Sequence, residues 1–98
     1  MFKARKKENG GFTIELDIDG VKEKFDFVEP NFEVKAKAIE ILLGEGETMH
    51  IVKAGKVIVD ACYKGDITEV KSDDDVYVSL CAATANLVKV YSGELKKN

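Results

Sequence analysis

Two alternating segments, Phe12-Thr-Ile-Glu-Leu-Asp-Ile18 and Val21-Lys-Glu-Lys-Phe-Asp-Phe-Val28, are joined by only Asp19-Gly20. A two-residue type I′ turn needs φ > 0 at both central positions, and Asp-Gly tolerates this at low cost. The turn predicts a hairpin over 12–28 and sets its register. Ile18 then opposes Val21, Ile14 opposes Phe25 and Phe12 opposes Phe27 on one face. On the other face Asp17 opposes Lys22 and Glu15 opposes Lys24. One side is apolar and the other carries opposite charges in pairs, which the turn alone does not require. Only Leu16 opposite Glu23 breaks the pattern.

An isolated hairpin is marginal in water, and its unpaired edges invite other strands. The rest of the chain, or another chain, must cover or extend it. With 98 residues there is room for a single domain, 1–98, that buries about 60 to 65 % of its unfolded surface. Hydrophobic residues make up 45 % and charged residues 34 %, a balance that builds a folded core rather than a disordered chain. Fifteen Lys and Arg against eighteen Asp and Glu leave a net charge of −3, so overall charge gives no reason to expect nucleic acid or an anionic membrane as partner. Residues 1–10, with Lys3, Arg5, Lys6 and Lys7, read as a flexible basic arm. No apolar run follows it, and nothing approaches the roughly 18 apolar residues of a membrane span, so the expected compartment is the cytoplasm.

After Pro30 the chain reads as mostly helical over 31–95. Residues 31–43 are mainly helix formers, with Asn31 as N-cap and Gly44 as stop. The alternation of Phe32, Val34, Ala36 and Ala38 with charged residues also fits a third strand. Gly44-Glu-Gly46 reads as a connection. From Glu47 to Lys64, Lys53, Lys56, Asp60 and Lys64 recur at helical spacing. They form a polar stripe opposite a wide apolar face that includes Ile58, Val59 and Cys62. A hairpin over this stretch would put Ile58 and Cys62 on the same side as Lys56 and Asp60, so helix is preferred. Gly55 inside that helix costs roughly 1 kcal/mol relative to Ala, which close approach of another backbone would explain. Gly65 fits a helix C-terminus, and Ser72 before Asp73, Asp74 and Asp75 fits the start of a last helix over about 73–95. The expected fold is therefore α+β, an N-terminal β-hairpin followed by about three helices.

The apolar positions of the last helix cover about half its circumference, more than the stripe of about 100° that a core needs. Val76, Leu80, Leu87 and Tyr91 are accordingly the candidate partner contacts, with self-association as one use of that surface.

Reactive chemistry finds little footing. His50 is the only histidine, and a general base needs both a nucleophile and an orienting group within reach. Cys62 and Cys81 fall among apolar neighbours and read as buried free thiols, since a disulfide would need their Cα atoms within about 7 Å. Two separated cysteines and one histidine are a poor zinc set. Asp73-Asp74-Asp75 and Asp17-Ile-Asp-Gly20 lack the alternating ligand spacing of a calcium loop, and Gly44-x-Gly46 is only a fragment of a phosphate loop. No catalytic, cofactor-binding or metal-binding residue is expected.

The order of elements, together with Ile58-Val-Asp-Ala-Cys-Tyr-Lys-Gly-Asp66, Lys71-Ser-Asp-Asp-Asp75 and Gly93-Glu-Leu-Lys-Lys97, resembles small phage and prophage proteins of the tail-assembly-chaperone type. The likeness implies a non-enzymatic cytoplasmic assembly factor that binds another protein, such as a phage tail component. The alternative reading is a small regulatory or adaptor domain whose basic arm engages an acidic partner or nucleic acid.

Overall fold

The structure, a computed structural model, describes residues 2–6, 10–43 and 49–88, with side chains over 10–43 and 50–88. Three strands, β1 (Phe2–Lys6), β2 (Phe12–Ile18) and β3 (Val21–Phe27), form an antiparallel sheet in the order β1-β2-β3. Four helices follow: α1 (Phe32–Leu42), α2 (Met49–Cys62), α3 (Ile67–Lys71) and α4 (Asp74–Ala85). The α+β class and the leading hairpin agree with the sequence.

Asp19 at φ +52° and Gly20 at φ +84° form the positive-φ pair that a type I′ turn requires. The Gly20 N–H also donates to the Asp17 carboxylate at 2.9 Å. From this turn the register runs as expected, Ile18 opposite Val21 through to Phe12 opposite Phe27. Phe12 and Phe27 stack with ring centroids 4.8 Å apart, and Ile14 and Phe27 are fully buried, each worth about 1.5 to 3 kcal/mol relative to exposure. Leu16 is buried although Glu23 opposite it is exposed, because β2 is the central strand.

The flexible basic arm expected over 1–10 is corrected over 2–6, while residues 1 and 7–9 lie outside the described residues. Phe2–Lys6 is a strand paired with β2, with Lys3 opposite Glu15, Ala4 opposite Ile14 and Arg5 opposite Thr13. The physical reason is the edge of β2, whose backbone groups need partners and find them in the same chain. Gly10 at φ +85° belongs to the reversal between the two strands. The other side of the sheet is closed at one end by the chain leaving α2. Val28 donates to the Cys62 carbonyl at 2.9 Å, Lys64 donates to the Asp26 carbonyl at 3.0 Å, and Phe27 and Tyr63 form a bridge. These bonds draw Tyr63 and Lys64 out of the helix predicted to include them. They also lay the Tyr63 ring against Phe27 and Phe25 and over Gly65, where a Cβ would meet the Tyr63 ring.

Helix, not strand, is the outcome over 31–43. The Asn31 side chain accepts from Val34 N–H at 2.9 Å, which satisfies one of the first-turn donors that have no helical partner. The predicted stop at Gly44 and the connection 44–46 lie outside the described residues. Gly55 has the close neighbour its position in a helix implied. A Cβ there would run into the Cys81 carbonyl and lie 2.8 Å from the Cys81 Cα, so α2 and α4 cross in near backbone contact. The buried Thr84 hydroxyl donates across that crossing to the Gly55 carbonyl at 3.2 Å.

Two features depart from the expected three helices. The single-turn α3 fills the stretch between Gly65 and Ser72, capped by the Asp66 carboxylate, which accepts from Thr68 N–H at 2.9 Å. Ser72 ends α3, its hydroxyl donating to the Glu69 carbonyl, while Asp73 caps α4 by accepting from Asp75 and Val76 N–H at 3.1 and 3.3 Å. At its far end α4 stops at Ala85 rather than running on. Asn86 directs its side-chain amide to the Ala82 carbonyl at 3.1 Å, and Leu87 and Val88 donate to Thr84 and Ala85 in tighter turns, a local alternative that competes with further α-helix. The predicted continuation over 89–95 lies outside the described residues.

Candidate functional site

The three predicted contact residues that are described do not share one exposed face. Val76 is partly buried, Leu80 is completely buried and Leu87 is 36 % exposed; Tyr91 lies outside the described residues. Leu80 is therefore corrected from a contact to a core residue. The wide apolar face of α4 is spent inside the molecule, with Leu80, Cys81, Ala83, Thr84 and Ala85 all buried. Of the three that are described, Val76 alone lines a surface depression.

That depression lies where the β2–β3 turn comes beside the first half of α4, and its volume is about 460 Å³. Leu16 and Ile18 from β2 and Val76 and Ala82 from α4 form its apolar part. Around them stand four carboxylates, Asp17 from the end of β2, Asp19 from the turn, and Asp73 and Asp75 from the start of α4, with Ser79 as the remaining polar neighbour. Among the described residues no lysine or arginine lines it. Each acid has a local reason to be where it is. Asp17 and Asp19 suit the turn, and Asp73 and Asp75 suit the positive end of a helix. Local signals of that kind explain each pair, but only the fold brings the two pairs to one groove. They do not converge on a point: among the described residues no group of three or more His, Cys, Asp or Glu could hold a metal ion.

A second polar cluster ties the helices together. Tyr77 on α4 donates to Asp60 on α2 at 2.6 Å, and Lys56 donates to the same carboxylate at 3.0 Å. Lys71 from α3 stands 3.6 Å from Asp60 and 5.7 Å from the centre of the Tyr77 ring. Partial burial alone would raise the Asp60 pKa, but the hydrogen bonds from Tyr77 and Lys56 and the charges of Lys56 and Lys71 outweigh it and hold the carboxyl below its ordinary value. Burial, and then the bond to Asp60, push Tyr77 well above the ordinary phenol range. With Asp60 engaged by three partners, the cluster works as a clasp between α2, α3 and α4.

The other reactive side chains are similarly engaged or enclosed. His50 on α2 bonds through Nδ1 to the Ile41 carbonyl at 3.0 Å, which ties α2 to the end of α1. Cys62 and Cys81 are free thiols in the core. Burial pushes Cys81 up to about 11, with Asp60 adding to the effect, and burial followed by the Glu29 charge raises Cys62. Neither is poised as a thiolate nucleophile at neutral pH. No helix among the described residues is long and apolar enough to cross a membrane. Compared with models of known protein families, with curated proteins and with solved structures, the chain matches none.

Proposed function

We propose that this chain acts by noncovalent protein binding, as a phage-like structural or assembly accessory protein working in the cytoplasm. The observation that carries the binding reading is the open groove between the β2–β3 turn and α4. It pairs an aliphatic floor with charged walls, as an interface with an apolar centre and polar rim does. The surroundings support the same reading, since the groove is built on a two-residue turn and the capped start of a helix, regular elements that lower the ordering cost of binding. The assembly role is supported by the resemblance carried by residues 58–66, 71–75 and 93–97. The rival adaptor reading would present Lys3, Arg5 and Lys6 from a strand paired in the sheet rather than from a free arm.

The test is co-expression of the tagged chain with each product of the neighbouring genes, followed by size-exclusion chromatography with light scattering. A complex of fixed stoichiometry with one of those products, a tail or capsid protein, is the expected result. A chain that keeps its own mass beside every one of them would refute the proposal.

A further inference from the structure

Resting on the protein-binding reading, we propose that the groove between the β2–β3 turn and α4 is where the partner docks, and that it takes a basic segment carrying aliphatic side chains between its lysines or arginines. The argument is complementarity. Among the described residues four carboxylates and no lysine or arginine border the groove, while Leu16, Ile18, Val76 and Ala82 offer apolar surface between them. An acidic ligand would meet charge of its own sign, and a purely aliphatic one would strip water from the carboxylates without replacing their hydrogen bonds.

The local structure offsets part of the negative charge and leaves the rest. Asp73 spends its carboxylate on the first N–H groups of α4, and the positive end of the helix moderates both Asp73 and Asp75. Asp17 accepts from Gly20 and stands opposite Lys22 in the hairpin. Asp19 and Asp75 are exposed on opposite sides of the groove and are the two charges that can be altered with least harm to the fold. The volume is about 460 Å³, within the range of ligand-sized clefts. The carboxylates are spread along the groove rather than gathered at a point, which matches an extended chain with spaced cations better than a single small ion.

The probe is a decapeptide alternating Lys with Leu, titrated into the ¹⁵N-labelled full chain. Amide shifts should concentrate at 17–19 and 73–82, and affinity should fall severalfold as salt shortens the reach of the exposed charges. The variant D19N/D75N keeps a residue that tolerates positive φ at 19 and should weaken the peptide about five- to tenfold with an otherwise unchanged spectrum. Equal binding of a peptide with Glu in place of Lys, shifts centred elsewhere, or spermidine binding the same residues as tightly as the peptide would each overturn the proposal. The two levels separate cleanly. If the complex with a neighbouring gene product forms undiminished with D19N/D75N, the docking site is wrong and the binding function stands. If no gene product binds, the function fails whatever the peptide does.

Discussion

Replacing Gly55 with Ala tests the central packing claim, because the local and tertiary effects have opposite signs. In an ordinary helix interior the change gains roughly 1 kcal/mol. In α2 the new methyl group would collide with the carbonyl of Cys81 and lie 2.8 Å from its Cα. The obstacle is backbone, so no side-chain rotation can relieve it, and α2 and α4 must move apart. Overpacking a core costs about 1 to 3 kcal/mol and sometimes more, and a backbone collision belongs at the upper end. Separation would also loosen Ala54, Ile58 and Leu80, all at most 2 % exposed, and stretch the Thr84 bond to the Gly55 carbonyl. After the helix gain is subtracted, G55A should be destabilised by about 2 kcal/mol, a fall in Tm of roughly 8 to 16 °C for a domain of this size. Circular dichroism during urea and thermal unfolding measures it. Ala61→Gly, on the exposed side of the same helix, calibrates the local term with an expected loss of about 1 kcal/mol. A G55A protein as stable as the parent, or more so, would refute the close crossing.

Gly20→Ala meets no neighbouring atom, so its expected loss of about 1 kcal/mol in urea unfolding comes from positive φ alone; an unchanged midpoint would count against the type I′ turn. Stability should fall above about pH 10, where Tyr77 ionises in the unfolded chain but stays protonated in the folded one. Tyr77→Phe should reduce that alkaline loss, with Tyr63, also raised by burial, accounting for part of what remains. On the acid side Asp60 has the opposite sign: its folded pKa is lowered, so its contribution is present above about 3.8 and disappears as pH falls further, a loss that Asp60→Asn should diminish. Cys62 and Cys81, 3 % and 1 % exposed, should be silent toward a thiol reagent at pH 8 and react fully only in denaturant.

The elements legible in the sequence are those whose signals are local. Asp19-Gly20 and the two-residue alternation set the whole β2–β3 register, and Asn31 marked the start of α1 where periodicity alone left strand and helix open. Gly55 announced a close crossing because a glycine in a helix needs a reason. Signals that were short or relational were lost. Strand β1 offers five residues dominated by Lys and Arg, too few for alternation to outweigh the look of a charged tail. Helix α3 is a single turn, shorter than the period needed to recognise it. Leu80 was assigned to a contact surface because a helical wheel shows how wide an apolar face is and not how much of it other elements cover. The groove was invisible for the same reason. Asp17 with Asp19, and Asp73 with Asp75, each satisfy a nearby rule, and nothing in the order of residues says that the two pairs meet.

The strand order β1-β2-β3 places the pairings between its three strands within the first 27 residues, while α4, which packs against β2, ends at Ala85. A ribosome adding about 5 to 20 residues per second therefore completes the sheet about 3 to 12 seconds before its covering helix has been made. During that interval Phe12, Ile14, Phe25 and Phe27 form a sticky patch on a nascent chain. Slower translation beyond residue 30 lengthens its exposure, so yield in a heterologous host should depend on codon choice in the second half of the gene more than in the first.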